Sequence, residues 1–597
     1  MVKVLIGVLV LGVVSGAPSA AEPIILADTN RDGVVDVSGT SDRMDKTTWT
    51  SARGAILLPN IGDTAGRCPS TSAVGVSDAQ LEACNDAEGD EPRAPEYFAP
   101  LNTLPMPDVD DLAEGCVAAV GVGAGKVRIF VRRTQGWEFL GSQDRLTAVE
   151  LRRGAQLGAD SRDVVRDSRA WDGRVTIEFS VNEGGRIRRD RVAMRVAPVL
   201  THHHLQRVEQ VLAPLSASFV AHQQFVKDLE GVLASSGFTV PLRRLNTTDV
   251  WAQDVVEFGH VSMPRPGGAL ATLRIAIRSA QPGRAGGRAV FDLRGPGMGA
   301  IQLGGDDYHQ ADSFGNLETI PPYTHDGVRH PAGQIIYGDV GDGLAPHRDM
   351  MRFFESQEVQ SPIVLDTSWL VIGHVDEFVQ FLPADTPRGW KIAVVDVGRA
   401  LDVLRGAQQR GRGGTAVYSR PGAPKITINQ LLRDASFLEH NELARRKIEL
   451  NLGILKAATG VRDDEIVRVP GLYRESEIVA ATRRERTGSA ATTVPPPGLP
   501  AGLVFPREKI TYGPGVLAAF YPGAINGILI DARDYIAPKA WGPVENGRDI
   551  LQQAVDAAYR EAGLSVWSID DWDSHHRIGG EVHCGTNTIR AVDSAWW

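Results

Sequence analysis

The stretch Gly579-Gly580-Glu581-Val582-His583-Cys584-Gly585-Thr586-Asn587 sets one cysteine between glycines. Glycine adopts backbone conformations closed to other residues and lets the main chain approach a ligand closely, so such a setting can display a nucleophile. The other reading is a structural thiol or half of a disulfide, the commoner fate of a cysteine in an exported chain. Residues far away in the sequence decide between the two, and with them whether the fold is a scaffold for chemistry.

At 597 residues the chain exceeds what one hydrophobic core supports, and 43% apolar residues with a formal charge of -10 are ordinary for a soluble globular protein. The mild negative charge, without a long Lys/Arg run, argues against nucleic acid or an anionic membrane as the main partner and favours cationic ligands. Residues 1–21 read as a secretory signal: Lys3, the apolar run Val4 to Val14, and the small residues Ser19-Ala20-Ala21 at a cleavage site. That run is short for a bilayer span and no later segment qualifies, so the expectation is a secreted chain without a stable membrane anchor. Export makes the four cysteines informative. Cys68 and Cys84 bracket a polar loop and form one local pairing, Cys116 lies in an apolar run and is expected to be buried, and Cys584 then stays free; Cys116 with Cys584 is the competing pair.

Short apolar runs such as Ala55-Ile56-Leu57-Leu58, Val127 to Val131 and Val175 to Phe179, parted by Gly/Pro/Asp turns, point to an all-β sandwich over residues 22–200. Within it, Asp28, Asn30, Asp32 and Asp36 place oxygen side chains at alternate positions around Gly33. This loop reads equally as a calcium cradle or as a solvated Asx-rich turn, since Gly39 stands where a complete EF-hand carries its bidentate Glu. From about residue 201 the pattern changes to alternating strands and helices, with helical spacing over Leu212 to Leu233, Leu438 to Thr459 and Asp549 to Ala562. Arg410 to Gly414 and Arg483 to Gly502 read as exposed loops, and no internal repeat stands out.

Three stretches of this second domain carry unusual polar groups. Gly373-His374-Val375-Asp376-Glu377 lies in apolar, strand-like surroundings, which would project His374 and Asp376 from one face. Trp251-Ala252-Gln253-Asp254 sets an acid beside an aromatic at the start of an apolar segment. In the Cys584 stretch, an extended backbone would turn His583 to the opposite face from Cys584, leaving His374 the better partner. A thiol, an imidazole and two carboxylates on separate segments suit a planar cation, because a guanidinium accepts carboxylates from more than one side. A Cys-His peptidase acting on a neutral amide has no use for the second pair.

Together with Asp312 to Glu318, Leu438 to Asn441, Gly542 to Arg548 and Trp596-Trp597, these motifs resemble, in number, order and spacing, the protein-arginine deiminases. The resemblance covers nearly the whole chain after residue 21. It implies a pentein-like, five-bladed α/β propeller over residues 201–597, preceded by an immunoglobulin-like sandwich, with no counterpart of the first sandwich of the vertebrate enzymes. Activity implied is the hydrolysis of arginine side chains in proteins or peptides to citrulline and ammonia. By the same resemblance Cys584 is the nucleophile, His374 the general acid/base, Asp254 and Asp376 the guanidinium clamp, and Trp251 the wall of the arginine stem. Calcium is the implied cofactor, at Gln253, Glu257, Glu318 and the carbonyls of Phe314 and Leu317, and at the Asp28, Asn30, Asp32, Asp36 loop.

Two departures bear on function. A second family calcium site is lost, with Val255 and Arg278 at ligand positions, and Arg278 is expected to supply fixed positive charge in place of the ion. The family arginine that grips substrate carbonyls is displaced by one position to Arg577, with Ile578 in its place. Alternatives are a deiminase or amidinotransferase for a small free guanidine and, from another class, a calcium-stabilised surface binding protein without turnover.

Overall fold

The protein was analysed as a computed structural model, which describes residues 22–305, 309–477 and 512–597. The expected signal segment and the expected loop at 483–502 lie outside the described residues. Two compact units alternate along the sequence. One comprises Met1–Leu57, Asp90–Asp160 and Arg174–Arg195; the other comprises Leu58–Gly89, Ser161–Gly173 and Val196–Trp597. Segments 58–89 and 161–173 therefore pack with the later unit, although they precede residue 200 in sequence.

The first unit is built from one five-stranded and one four-stranded sheet. Its longest hairpin pairs Arg174–Glu183 with Arg186–Val196, antiparallel. Strict alternation along the first of these strands buries Val175, Ile177, Phe179 and Val181 on one face, each worth about 1.5–3 kcal/mol in transfer terms. A fully buried ion pair, Arg128 to Asp160, is bidentate, with Nε on Oδ1 at 2.9 Å and Nη2 on Oδ2 at 2.5 Å, the geometry that compensates burial of the two charges.

In the Asp28 loop the acidic side chains are turned onto the backbone. Asp28 accepts from the amides of Asp32 and Gly33, Asn30 donates to Asp32 Oδ2 at 2.8 Å, and Asp36 accepts from the amide of Gly39 and the hydroxyl of Ser41. These hydrogen bonds are those of an Asx-rich turn, and among the described residues no three carboxylates of this loop gather within 4.8 Å. Burial pushes Asp28 up to about 6.

The second unit repeats one small plan five times. In each of five sheets a central strand has an antiparallel neighbour on one side and a parallel neighbour on the other: Val208–Pro214, Leu270–Arg278, Gln334–Asp339, Trp390–Asp396 and Asp534–Pro538 are the central strands. The parallel neighbour is reached through a crossover, helical at Val220–Ser235, Arg348–Ser356, Val397–Ala407 with Ala435–Thr459, and Ile550–Glu561, as parallel pairing requires. The sequence shows no such repeat because the plan is one of pairing direction and connection length, carried by dissimilar side chains.

Local signals explain the helix ends. Asp434 and Asp549 cap their helices through backbone amides, and the 25-residue helix Ala435–Thr459 stops at Gly460, whose φ of 68° is left-handed. Three local expectations are corrected. Leu212 ends up in the strand Val208–Pro214, and the helix begins only at Val220, because Pro214 and Ser216 interrupt the apolar spacing. Residues Gln408–Arg412 continue the preceding helix as a π-helical turn rather than leaving it as a loop. His374 and Asp376 sit at a 3-10 turn, Val375–Glu377, rather than on a strand; Glu377 Oε1 accepts the amides of Gly373 and His374 and stops the chain from extending. Cys68 and Cys84 form a disulfide with Cα atoms 5.6 Å apart. Cys116, expected to be buried, is half-buried and free, and Cys584 is free and buried.

Candidate active site

Trp251, Asp254, Arg284, Gln310, His374 and Cys584 line one cavity of about 440 Å³ in the second unit. Trp251 and Asp254 share one turn, and the other four arrive on separate pieces of chain. Asp254 sits on a single helical turn, Ala252–Val255, that leads straight into the strand Val256–Pro264. That turn is tied to the nucleophile's segment by its own backbone, since the amide of Gln253 donates to the carbonyl of Cys584 at 3.1 Å. Cys584 in turn donates its amide to Asn526 Oδ1 at 3.2 Å. Gly580 is required for this approach: a Cβ there would lie 2.5 Å from the Trp251 ring and 3.1 Å from Cys584 Cβ.

The thiol faces carboxylates. Cys584 Sγ lies 3.6 Å from Asp376 Oδ2, and burial, then the charges of Asp376 and Asp254, push the thiol well above its ordinary range. An isolated pocket of this kind holds a neutral thiol. His374 is oriented by Gln310, whose carbonyl lies 3.0 Å from Nε2; Nε2 therefore carries the hydrogen. Nδ1 is buried with no protein partner, above Gly315, where a Cβ would lie 2.5 Å from it.

Arg284 is the site residue that sequence reading missed. Its guanidinium is buried, with Nη1 on Asp254 Oδ2 at 2.9 Å and Nε and Nη2 on the two oxygens of Asp249 at 2.6 and 3.1 Å. Burial pushes Asp254 up while Arg284 pulls it down. Arg278, expected in the charge-supplying role, is instead directed to Asp78 Oδ2 at 2.5 Å, to Gln302 and to the Pro282 carbonyl. The signal that separates the two arginines is Asp249, two residues before Trp251, which only the fold brings to Arg284. His575 is a second omission: fully buried, it meets the Trp251 ring edge-on at 5.4 Å and backs that wall of the cavity.

Arg577 does not line this cavity. It borders a separate polar cleft with Arg474, Trp572 and His576 and lies 3.4 Å from Asp573, while Ile578 takes the cavity wall. Alternation of side chains over one residue is enough to exchange the two. His583 is brought into the site, though not to the thiol: its Nδ1 bonds Asp376 Oδ2 at 2.9 Å.

Behind Asp254 lie the oxygen groups. Gln253 Nε2 donates to Glu257 Oε2 at 2.8 Å and to the Phe314 carbonyl at 3.2 Å. Glu318, on the strand Leu317–Ile320, lies close enough that its charge, after burial, pushes Glu257 well up. Two buried carboxylates with amide and carbonyl oxygens beside them form an all-oxygen set that fits a hard dication. Val255 is buried and apolar and offers no ligand.

Fold and site together define a class: an α/β protein of repeated small sheets with a thiol, an imidazole and the Asp254 carboxylate at one pocket and the Asp376 carboxylate 3.6 Å from the thiol, a set suited to a planar cation. The family model "Protein-arginine deiminase (PAD)" matches residues 186–597, and the chain belongs to the protein-arginine deiminase family. Protein-arginine deiminase type-4 of Homo sapiens is 29% identical over 423 residues, 68% of this chain and 56% of the human protein, so the match spans about half of that relative's length. The type-4 protein of Rattus norvegicus is 27% identical over 580 residues, 93% of this chain and 79% of its own. Membership fits a pentein-like fold. An amidinotransferase from Microseira wollei aligns over 67% of this chain with a TM-score of 0.31 and 10% identity, a likeness too slight to carry an argument.

Proposed function

We propose that the protein hydrolyses arginine side chains in proteins or peptides to citrulline and ammonia. The observation that carries this reading is electrostatic: burial, then the charges of Asp376, 3.6 Å from Sγ, and of Asp254 favour the protonated form of the Cys584 thiol. A neutral substrate leaves that arrangement inert, whereas a bound guanidinium neutralises the carboxylates and favours the thiolate.

In the proposed course, Cys584 Sγ bonds to the guanidinium carbon as its proton passes to His374. The tetrahedral adduct collapses with cleavage of one C–N bond, and His374 returns a proton to the departing ammonia. Water, deprotonated by His374, then adds to the thiouronium carbon, and the C–S bond breaks to give the citrulline ureido group and the free thiol. Trp251 offers an aromatic face to the methylene stem. Calcium would be held by Gln253, Glu257, Glu318 and the carbonyls of Phe314 and Leu317, where it would neutralise the paired carboxylates and fix the turn that carries Asp254. The Asp28 loop is the weaker candidate, since its carboxylates serve the backbone.

A five-bladed closure of the repeated sheets, an immunoglobulin-like identity for the first unit, and export belong to the same reading. Export is supported by the Cys68–Cys84 disulfide, which oxidising compartments favour. Among the described residues no helix is long and apolar enough to cross a membrane. Incubating the protein with an arginine peptide, an amino-blocked arginine ester and free arginine, with and without calcium, tests the proposal. Citrulline and ammonia should form in equal amounts from the first two and not with Cys584→Ala; turnover of free arginine alone favours a small-guanidine enzyme.

A further inference from the structure

His204, Glu318 and His583 converge in an arrangement of which the proposed deimination uses only Glu318, as a calcium ligand. One ligand atom from each, all three lying within 4.8 Å of one another, could meet a single ion. His204 Nε2 is 3.0 Å from Glu318 Oε2 and His583 Nε2 is 3.7 Å from Glu318 Oε1, so the carboxylate offers one oxygen to each ring. The two imidazoles stand edge to face with centroids 5.3 Å apart. All three side chains are largely buried.

Orientation is what separates this cluster from an ordinary buried histidine. His583 Nδ1 is committed to Asp376 Oδ2 at 2.9 Å, and since a carboxylate only accepts, Nδ1 carries the hydrogen. In the neutral ring Nε2 then presents a lone pair towards a carboxylate oxygen, at a distance too long for a hydrogen bond. While the ring is neutral, two acceptors aimed at one another across a gap are unfavourable, and a proton or a metal cation between them relieves the clash. The Asp376–His583 bond is also the carboxylate–histidine pairing that orients an imidazole as a metal ligand. Nearby positive charge is limited to Arg590, whose guanidinium is turned onto the carbonyls of His204, Gln206 and Leu529.

We propose that His204, Glu318 and His583 bind a transition-metal dication, for which Zn²⁺ is the best match. Two imidazole nitrogens and one carboxylate oxygen form a borderline donor set that suits zinc with water at a fourth position, whereas calcium takes oxygen and not nitrogen. Glu318 belongs both to this set and to the oxygen set behind Asp254, so the two ions exclude one another. The zinc geometry stands without the calcium reading; only the competition rests on it.

The test uses the full chain, freed of metal by chelation, with Zn²⁺ in equilibrium dialysis and Co²⁺ as the spectroscopic probe. One ion per chain should bind, and Co²⁺ should show visible d–d bands without thiolate charge transfer, unchanged in Cys584→Ala. His204→Gln should raise the zinc Kd tenfold or more. X-ray absorption on the wild-type zinc complex keeps the proposal testable if that variant misfolds, and should count two imidazoles. Fewer than two, an unchanged Kd in folded His204→Gln, or a thiolate band lost in Cys584→Ala overturns the site. Saturating Ca²⁺ should weaken zinc binding tenfold or more; no effect overturns the shared ligand.

Discussion

Arg284 donates from Nη1 to Asp254 Oδ2 at 2.9 Å and from Nε and Nη2 to Asp249, so both carboxylates that line the cavity are already paired with a guanidinium of the protein itself. The pair is buried, and the rest of the Arg284 fork is held by Asp249. Burial raises the Asp254 pKa, and Arg284 opposes that rise with a fixed charge that also orients the carboxylate. Replacing Arg284 by Gln should cut kcat/KM by about 10²-fold or more, as loss of a preorganised charge does. Because Arg284 pulls the Asp254 pKa down against burial, its removal lets that pKa climb. The acidic limb of the kcat/KM profile should therefore move to higher pH in Arg284→Gln and stay near wild type in Arg284→Lys. An unmoved limb in both would refute the assignment.

Stability should fall as pH rises through neutrality. Burial pushes Glu377 and Glu581 each up to about 8 from an ordinary value of 4.5. Between those values the folded state holds protons that the unfolded chain has released, so the contribution is complete below about pH 4.5 and lost through about pH 8, on the order of several kcal/mol at most. Melting temperature, measured without added metal, should drop between about pH 5 and about pH 8.5, and Glu581→Gln should flatten the slope.

Much of this site was legible because its chemistry needs particular residue types at fixed local spacings. Trp251, Asp254, His374 and Cys584 each sit beside glycines or aromatics that mark the stretch, and the fold brings all four to one cavity. What was illegible depends on geometry that spacing does not carry. Arg278 and Arg284 are equivalent as sequence; only a strand end at Arg278 and an exit from it before Arg284 decide which reaches Asp254. His583 was set aside on the assumption of an extended chain, yet it lies in a turn before Cys584 and points to Asp376. The five repeated sheets escaped notice for a related reason: pairing direction leaves no mark in side-chain chemistry.

Gly580 should tolerate no side chain. A Cβ would stand 2.5 Å from the Trp251 ring and 3.1 Å from Cys584 Cβ, and both neighbours line the cavity. Gly580→Ala must shift either the stem-binding wall or the nucleophile, and a displacement of about 1 Å costs on the order of 10²-fold in rate. The expected result is that loss in kcat/KM with an unchanged far-ultraviolet spectrum. Wild-type turnover in the variant would show that the segment has room to move.

Asp376→Asn separates the thiol's electrostatics from its chemistry. The Asp376 charge raises the Cys584 pKa, second only to burial. Its removal should lower that pKa, shifting the pH dependence of iodoacetamide inactivation downwards. The same substitution removes half of the guanidinium clamp and the anchor of His583, so turnover should fall by about 10²-fold or more. A thiol that alkylates more readily while the enzyme works less well is the signature of a nucleophile held back by the carboxylate that binds its substrate. Slower alkylation alongside slower turnover would instead mean that Asp376 supports the thiolate, and the substrate-gated account would fail.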